Sequence, residues 1–339
     1  TDRTPYHTDY MKNRLTTKMC SEVRLLKKFM KGIGVYGAEI KVGGFSGYLC
    51  ELLILRFKTF AETLEAFAKH RQRIIIDTEK HYENRENEIA ILFSEPLVIV
   101  DPVDRARNVA SAVQTQKLYD FIAAAQAFLR KPDTEFFFPQ MTTALSGKEM
   151  AKRLKSRGST IVFVVFGGTK VVPDVLWGQL YKSQRSLRKL VQLNEFKVLR
   201  DFAWSDEKDL NLFVFEVEHC CIPSIRKHLG PPLEKQEECE KFVAKYMDNK
   251  EVICGPYTEG GRWVVLVPRK FTDVGDLLRK KLKDGGRNVG VAEGISHILR
   301  EGFRVLVNEE IVDVYERNGE FAVFLTEFLI GRPRWLEAR

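Results

Sequence analysis

The stretch that most constrains the fold of this chain is Thr160–Phe166, TIVFVVF. A run of β-branched and aromatic residues with no polar alternation reads as a core strand. It is followed by an amphipathic helix at Leu176–Leu193 and by strands at Phe196–Ala203 and Asn211–His219. That strand–helix–strand–strand order fits half of a ferredoxin-like α/β sandwich.

Upstream the pattern is mostly helical. Val23, Leu25, Leu26, Phe29 and Met30 recur at helical spacing over Glu22–Lys31, and Phe60, Leu64 and Phe67 share a face of Thr59–His70. Tyr48–Phe57 and Lys117–Arg130 read as further helices, and Ile74–Asp77 and Ala90–Val100 as strands. The FFFP sequence at 136–139 marks a break, so a first domain boundary is expected near Gln140. From Pro223 the chain reads as helical and polar, then as a strand at Arg262–Val267, a helix at Gly290–Arg300 and a late strand at Glu320–Leu329. The expected class is α+β. A mostly helical central domain, 1–140, precedes a ferredoxin-like body, 141–225, and a mixed α/β tail, 226–339.

Hydrophobic residues make up 44% of the 339 and charged ones 29%, the mix of a globular protein. The net charge of +8 favours an anionic partner, nucleic acid first. The cysteines form no CxxC pair and no zinc-finger spacing, which points to free thiols in a reducing, cytoplasmic setting. No apolar run reaches the ~18 residues of a membrane span, so no membrane partner is expected. The opening TDRTP reads as an internal segment rather than a translation start.

One charged turn stands out. Asp101–Ala110, DPVDRARNVA, follows the hydrophobic run Ile89–Val100, and a helix is expected to start near Asn108. A charged turn at the mouth of a buried strand suits polar recognition of a small ligand and equally suits local ion pairing. Metal-dependent nucleotidyl transfer needs clustered carboxylates, ordinarily a Gly-Ser turn followed by an acid-x-acid strand. Gly158-Ser159 leads instead into TIVFVVF, which carries no acid. No catalytic residue and no metal ligand is therefore assigned to this chain.

Four segments in order carry a resemblance: DRTPYH at 2–7, SEVRLLKKF at 21–29, GVYGAEIKVGGFSGYLCELL at 34–53 and DPVDRARNVA. Together they resemble the archaeal-type (class I) CCA-adding enzymes, tRNA nucleotidyltransferases that build the 3′ CCA end. The 34–53 block is the most specific of them. The similarity continues more faintly to near Val291, through Asp174–Arg188, Gly230-Pro231, Gly261-Arg262-Trp263, Arg269-Lys270-Phe271 and Arg287-Asn288-Val289-Gly290. The last ~45 residues are left unplaced within the family pattern. The chain begins where the family's catalytic head should end, so the resemblance implies a fragment whose Mg2+ ligands lie in a missing N-terminal head. It implies CTP and ATP as substrates and the tRNA acceptor stem and elbow as partners, with a homodimer left open. A head-less RNA-binding paralogue and a related poly(A) or oligoadenylate polymerase are the rival readings.

The resemblance assigns nucleotide contacts to His7, Lys27, Tyr36, Asp101 and Arg107. In the family, the residue matching Lys27 touches the triphosphate, with those matching Tyr36 and His7 nearby. The one matching Arg107 reads the base edge, supported by the one matching Asp101. Taken alone, Lys27 equally suits a solvated helix lysine, Tyr36 a core aromatic, His7 a surface histidine, and Arg105 competes with Arg107. For RNA, the basic residues Lys182, Arg185, Arg188, Lys189, Lys197 and Arg200 crowd a helix expected near Trp177–Arg200, against the single acid Glu195. Lys270, Arg279, Lys280, Lys281, Lys283 and Arg287 form a second basic stretch. Of these, Lys182, Arg185, Arg188, Lys189, Lys270 and Arg287 are the candidate RNA contacts.

Overall fold

The computed structural model describes residues 3–69, 73–168 and 170–336. Asp2 of the first segment and His70 of the third expected helix lie outside them. The mixture of helices and small sheets is of the α+β class. Contacts divide the chain into two units, 1–143 with 326–339, and 144–325.

The first unit is built on α1 (Thr4–Lys12), α2 (Thr17–Gly32), α3 (Gly47–Phe57) and α4 (Phe60–Ala68). Thr16, Ser46 and Thr59 start α2, α3 and α4 by accepting hydrogen bonds from the backbone amides of Met19, Leu49 and Glu62. Six of the eleven residues of α3 are buried, because helices cover it on several sides. A short sheet follows, in the order β1 (Ile74–Ile76), β2 (Leu97–Asp101), β3 (Asp104–Asn108). Two expectations fail here. Residues 90–92 are not strand but belong to helix α5 (Glu86–Leu92). Ile89 and Phe93, four apart, pack on Val98 and Val100 of β2, so one apolar run feeds a helix and then a strand, separated by Pro96. Nor does a helix start near Asn108; that residue ends β3. Its side chain accepts from the amides of Ile99 and Ala110 and donates to the carbonyl of Leu97, which completes the hairpin.

Helix α6 (Thr115–Arg130) closes the unit's core. The FFFP sequence is part of that core: Phe136 and Phe137 pack on Phe29 and Phe128, and Phe136 also stacks on Trp335. Residues 326–336, left unplaced by the sequence reading, thus return to the helical unit.

The second unit opens with α7 (Gly147–Lys155) and β4 (Thr160–Gly167), followed by α8 (Pro173–Leu193), β5 (Val198–Ser205) and β6 (Leu210–Val217). Downstream lie β7 (Ile225–Pro232), α9 (Gln236–Met247), β8 (Cys254–Glu259), β9 (Arg262–Pro268), α10 (Val274–Leu282), α11 (Glu293–Glu301) and β10 (Phe303–Val307). Strand β10 pairs with β4, giving an antiparallel sheet in the order β10-β4-β6-β5. That is the order of a complete ferredoxin-like sheet, whose last strand is supplied from far downstream. Between β6 and α10 the chain makes a separate antiparallel sheet, β7-β9-β8, with α9 packed on it. Residues 225–232, expected to be helical, are its edge strand. Its most exposed positions are Ile225, Lys227 and Leu229, with Arg226 and His228 between them, so the sequence offered no polar–apolar alternation to mark the strand.

After β10 come α12 (Val312–Arg317) and α13 (Gly319–Ile330). The expected late strand at Glu320–Leu329 is therefore a helix. Phe321, Ala322, Leu325, Phe328 and Leu329 are buried, a 3.6-residue period rather than a two-residue one.

Candidate functional site

Residues 34–46 form a loop folded back on itself. The amides of Gly37 and Phe45 donate to the carbonyls of Phe45 and Val35, and a Cβ on Gly44 would sit 2.0 Å from the Val35 carbonyl oxygen. Only glycine fits there. The fold-back brings Tyr36 to the first turn of α3. A Cβ on Gly47 would lie 3.2 Å from the Tyr36 Oη and 3.4 Å from the Lys27 Nζ, so both groups converge on that glycine. Lys27 is half-buried and donates to Glu51 at 2.8 Å. Lys28 beside it is exposed and lies over the ring of Phe138.

The next residue joins this cluster to the charged hairpin. The Tyr48 ring stacks on His7 with centroids 4.1 Å apart. His7 Nε2 lies 2.9 Å from Asp101 Oδ2, and Arg107 Nη1 donates to the same oxygen at 3.1 Å. Asp101 is fully buried, and its other oxygen accepts from the amide of Val103, which fixes the turn. Arg3 pairs with Asp104 at 2.6 Å, so α1 is tied to both aspartates of the hairpin. Successive side chains of a strand alternate, which gives Arg105 and Arg107 the same face. Arg107 is the one held by Asp101, while Arg105 is exposed.

His7, Lys27, Tyr36, Asp101 and Arg107 are thus brought together around the start of α3. Sequence reading missed Tyr48 and Glu51, although both stand in the most specific block, 34–53. The Tyr48 hydroxyl is buried with no hydrogen-bond partner, and burial first, then the Asp101 carboxylate, raises its pKa well above the usual phenol range. It remains a neutral donor near the buried Asp101 carboxylate.

The second unit carries the RNA candidates. Lys182, Arg185 and Lys189 are exposed on α8 at spacings of three and four, opposite the buried Leu176, Leu180, Leu187 and Leu190. Arg188 is turned to Asp201 at 2.9 Å. Arg287 is exposed on a turn docked against α8, where the amide of Ala292 donates to Ser183 Oγ and Gly290 abuts Ser186. Lys270 is exposed on the return from β9 to α10. The helix ends at Leu193, short of Arg200, because Asn194 caps it and Glu195 takes a φ of 69°. Lys197 therefore leaves the helix for Glu218, and Arg200 lies on β5 bonded to the buried Glu216.

A helical unit with an ion-paired hairpin beside a glycine-rich helix start, and an α/β body with a basic helix, match two known sequence families. The model of "tRNA nucleotidyltransferase, second domain" matches residues 21–138. That of "CCA-adding enzyme, C-terminal domain" matches 157–308. The CCA-adding enzyme of Methanosarcina mazei is 36% identical over 328 residues, covering 97% of this chain and 69% of that protein. That of Methanothermobacter thermautotrophicus is 35% identical over 97% and 68%, and that of Pyrobaculum neutrophilum 38% over 84% and 63%. The chain belongs to the CCA-adding enzyme family of tRNA nucleotidyltransferases.

Proposed function

We propose that this chain selects the nucleotide and grips the tRNA during CCA addition, in which two CMP and one AMP pass from CTP and ATP to the tRNA 3′ end. The observation that carries this reading is Arg107, tethered by one nitrogen to the buried Asp101 with its side chain 40% exposed. A guanidinium has donors only. Cytosine N3 and adenine N1 accept, whereas uracil N3 and guanine N1 carry protons. A held arginine therefore pairs with C and A and leaves U and G with donor facing donor, at a cost of roughly 1–3 kcal/mol per unpaired group. Tyr48 and His7 offer an aromatic wall beside it.

Lys27, Tyr36 and the amides at the start of α3 suit a triphosphate, since a point charge and a helix N-terminus both favour phosphate oxygens. Glu51 holds Lys27 by accepting a hydrogen bond from its ammonium. Enzymes of this family use divalent metal ions. The carboxylates around this pocket do not fit such a centre: Asp101, Glu51 and Asp104 are each engaged by a cationic side chain or histidine rather than converging as a pair. No step is assigned to a metal here, and the chain is read as positioning rather than transferring the nucleotide.

The Lys182–Arg185–Lys189 stripe suits the phosphates of an A-form acceptor stem. Filter binding across a salt series tests it, with labelled CTP present to detect addition. We expect tRNA binding without incorporation. A Lys182→Gln, Arg185→Gln, Lys189→Gln triple variant should reduce the slope of log affinity against log salt by roughly 2 to 3. Incorporation of CTP by the chain alone, or an unchanged slope, contradicts the reading.

A further inference from the structure

Two backbone crossings connect the ferredoxin-like body to its inserted sheet, and they meet. Residues 220–222 leave β6 and residues 272–274 lead into α10. Cys221 and Asp273 form a bridge, the amide of Ile222 donates to Thr272, and that of Val274 to Cys220. At this neck Cys220 Sγ and Cys221 Sγ lie 3.2 and 3.3 Å from one atom, Asp273 Oδ2. The three donor atoms all fall within 4.8 Å of one another. Asp273 Oδ1 is occupied as the cap of α10, accepting from the amide of Asp276, so Oδ2 is fixed toward the sulfurs. Cys221 is exposed, and Cys220 and Asp273 are partly so.

We propose that Cys220, Cys221 and Asp273 bind a thiophilic divalent cation, Zn2+ or its analogue Cd2+, which clamps the two crossings together. Two sulfurs and one carboxylate oxygen are a donor set such ions prefer, and water at the open side completes four-coordination. Binding displaces the two thiol protons to solvent, and no oxidant or reductant takes part. The carboxylate that now accepts from both thiols becomes the third ligand with little movement, because the backbone bridge already holds the two crossings in register.

The test is titration of the reduced 339-residue chain with Cd2+ alone, read by the ultraviolet thiolate-to-metal charge-transfer band, with Zn2+ as competitor. One equivalent should saturate the band, and Zn2+ should displace it. Cys221→Ser, an exposed position, should weaken binding by at least the roughly 10–100-fold typical of losing even an outer-shell partner. Asp273→Asn keeps the cap on α10 and should weaken it too. Cys20→Ser, at an exposed lone thiol, should leave it unchanged. Absence of the band at equimolar Cd2+, or an undiminished band in Cys221→Ser with native circular dichroism, overturns the proposal.

Discussion

Asp101 uses its two oxygens for different tasks: one closes the hairpin turn and the other faces His7 and Arg107. Burial keeps water from competing for either. Gly47 matters for the opposite reason, because it has no side chain to push Lys27 and Tyr36 apart. Gly47→Ala requires those groups to shift by a few tenths of an ångström, while the helix itself tolerates alanine well. We expect weaker nucleotide binding, about tenfold at a cost of 1.4 kcal/mol, with little change in melting temperature. Isothermal titration beside a thermal melt checks both. Residue identities at this site were legible through motif order, but their geometry was not. Arg105 and Arg107 share a strand face, and the Asp101 contact that separates them depends on β3, whose last residue, Asn108, sequence alone read as the start of a helix. Tyr48 was passed over because a tyrosine in an apolar helix reads as core.

At the scale of elements, legibility followed clear burial patterns. Helix α8 was legible because its buried residues repeat at helical spacing, and β4 and β6 because they are buried on both faces and read as short, largely apolar runs. Elements with unusual surroundings were not: α13 is apolar enough to pass for a strand, and β7, at a sheet edge, shows no polar–apolar alternation. Arg200 was counted among the basic residues of the helix because the helix was extended past Asn194. It instead joins Arg157 and Ser159 on Glu216. Burial alone would raise that carboxyl's pKa; the hydrogen bonds from Arg157, Ser159 and Arg200 hold it down to about 2 against an ordinary 4.5. A depressed carboxylate stabilises the fold above its unfolded pKa and stops doing so as pH falls through the folded one. Glu216→Gln should therefore cost about 3 kcal/mol near neutral pH. The gap from the unsubstituted chain should narrow between pH 4.5 and about 2. Denaturant melts across that range check it, and a gap independent of pH would contradict it.

For the whole molecule, the helical unit is discontinuous in sequence, and the sheet of the second unit is closed only from far downstream. Residues 326–336 rejoin the helical unit through Trp335, and β10 completes a sheet begun far upstream at β4. Long-range closure of this kind leaves no local signature, which is why the end of the chain was illegible while its motifs were not. No described helix is long and apolar enough to cross a membrane. The division of labour proposed for the chain rests on base selection by Arg107. Its most direct measurement is competition of CTP, ATP, UTP and GTP for the chain in the presence of tRNA, repeated with Arg107→Ala. The account predicts that CTP and ATP bind at least tenfold more tightly than UTP and GTP, a difference of about 1.4 kcal/mol. It also predicts that Arg107→Ala removes the preference with tRNA affinity little changed. An unaltered preference for C and A in that variant would contradict it.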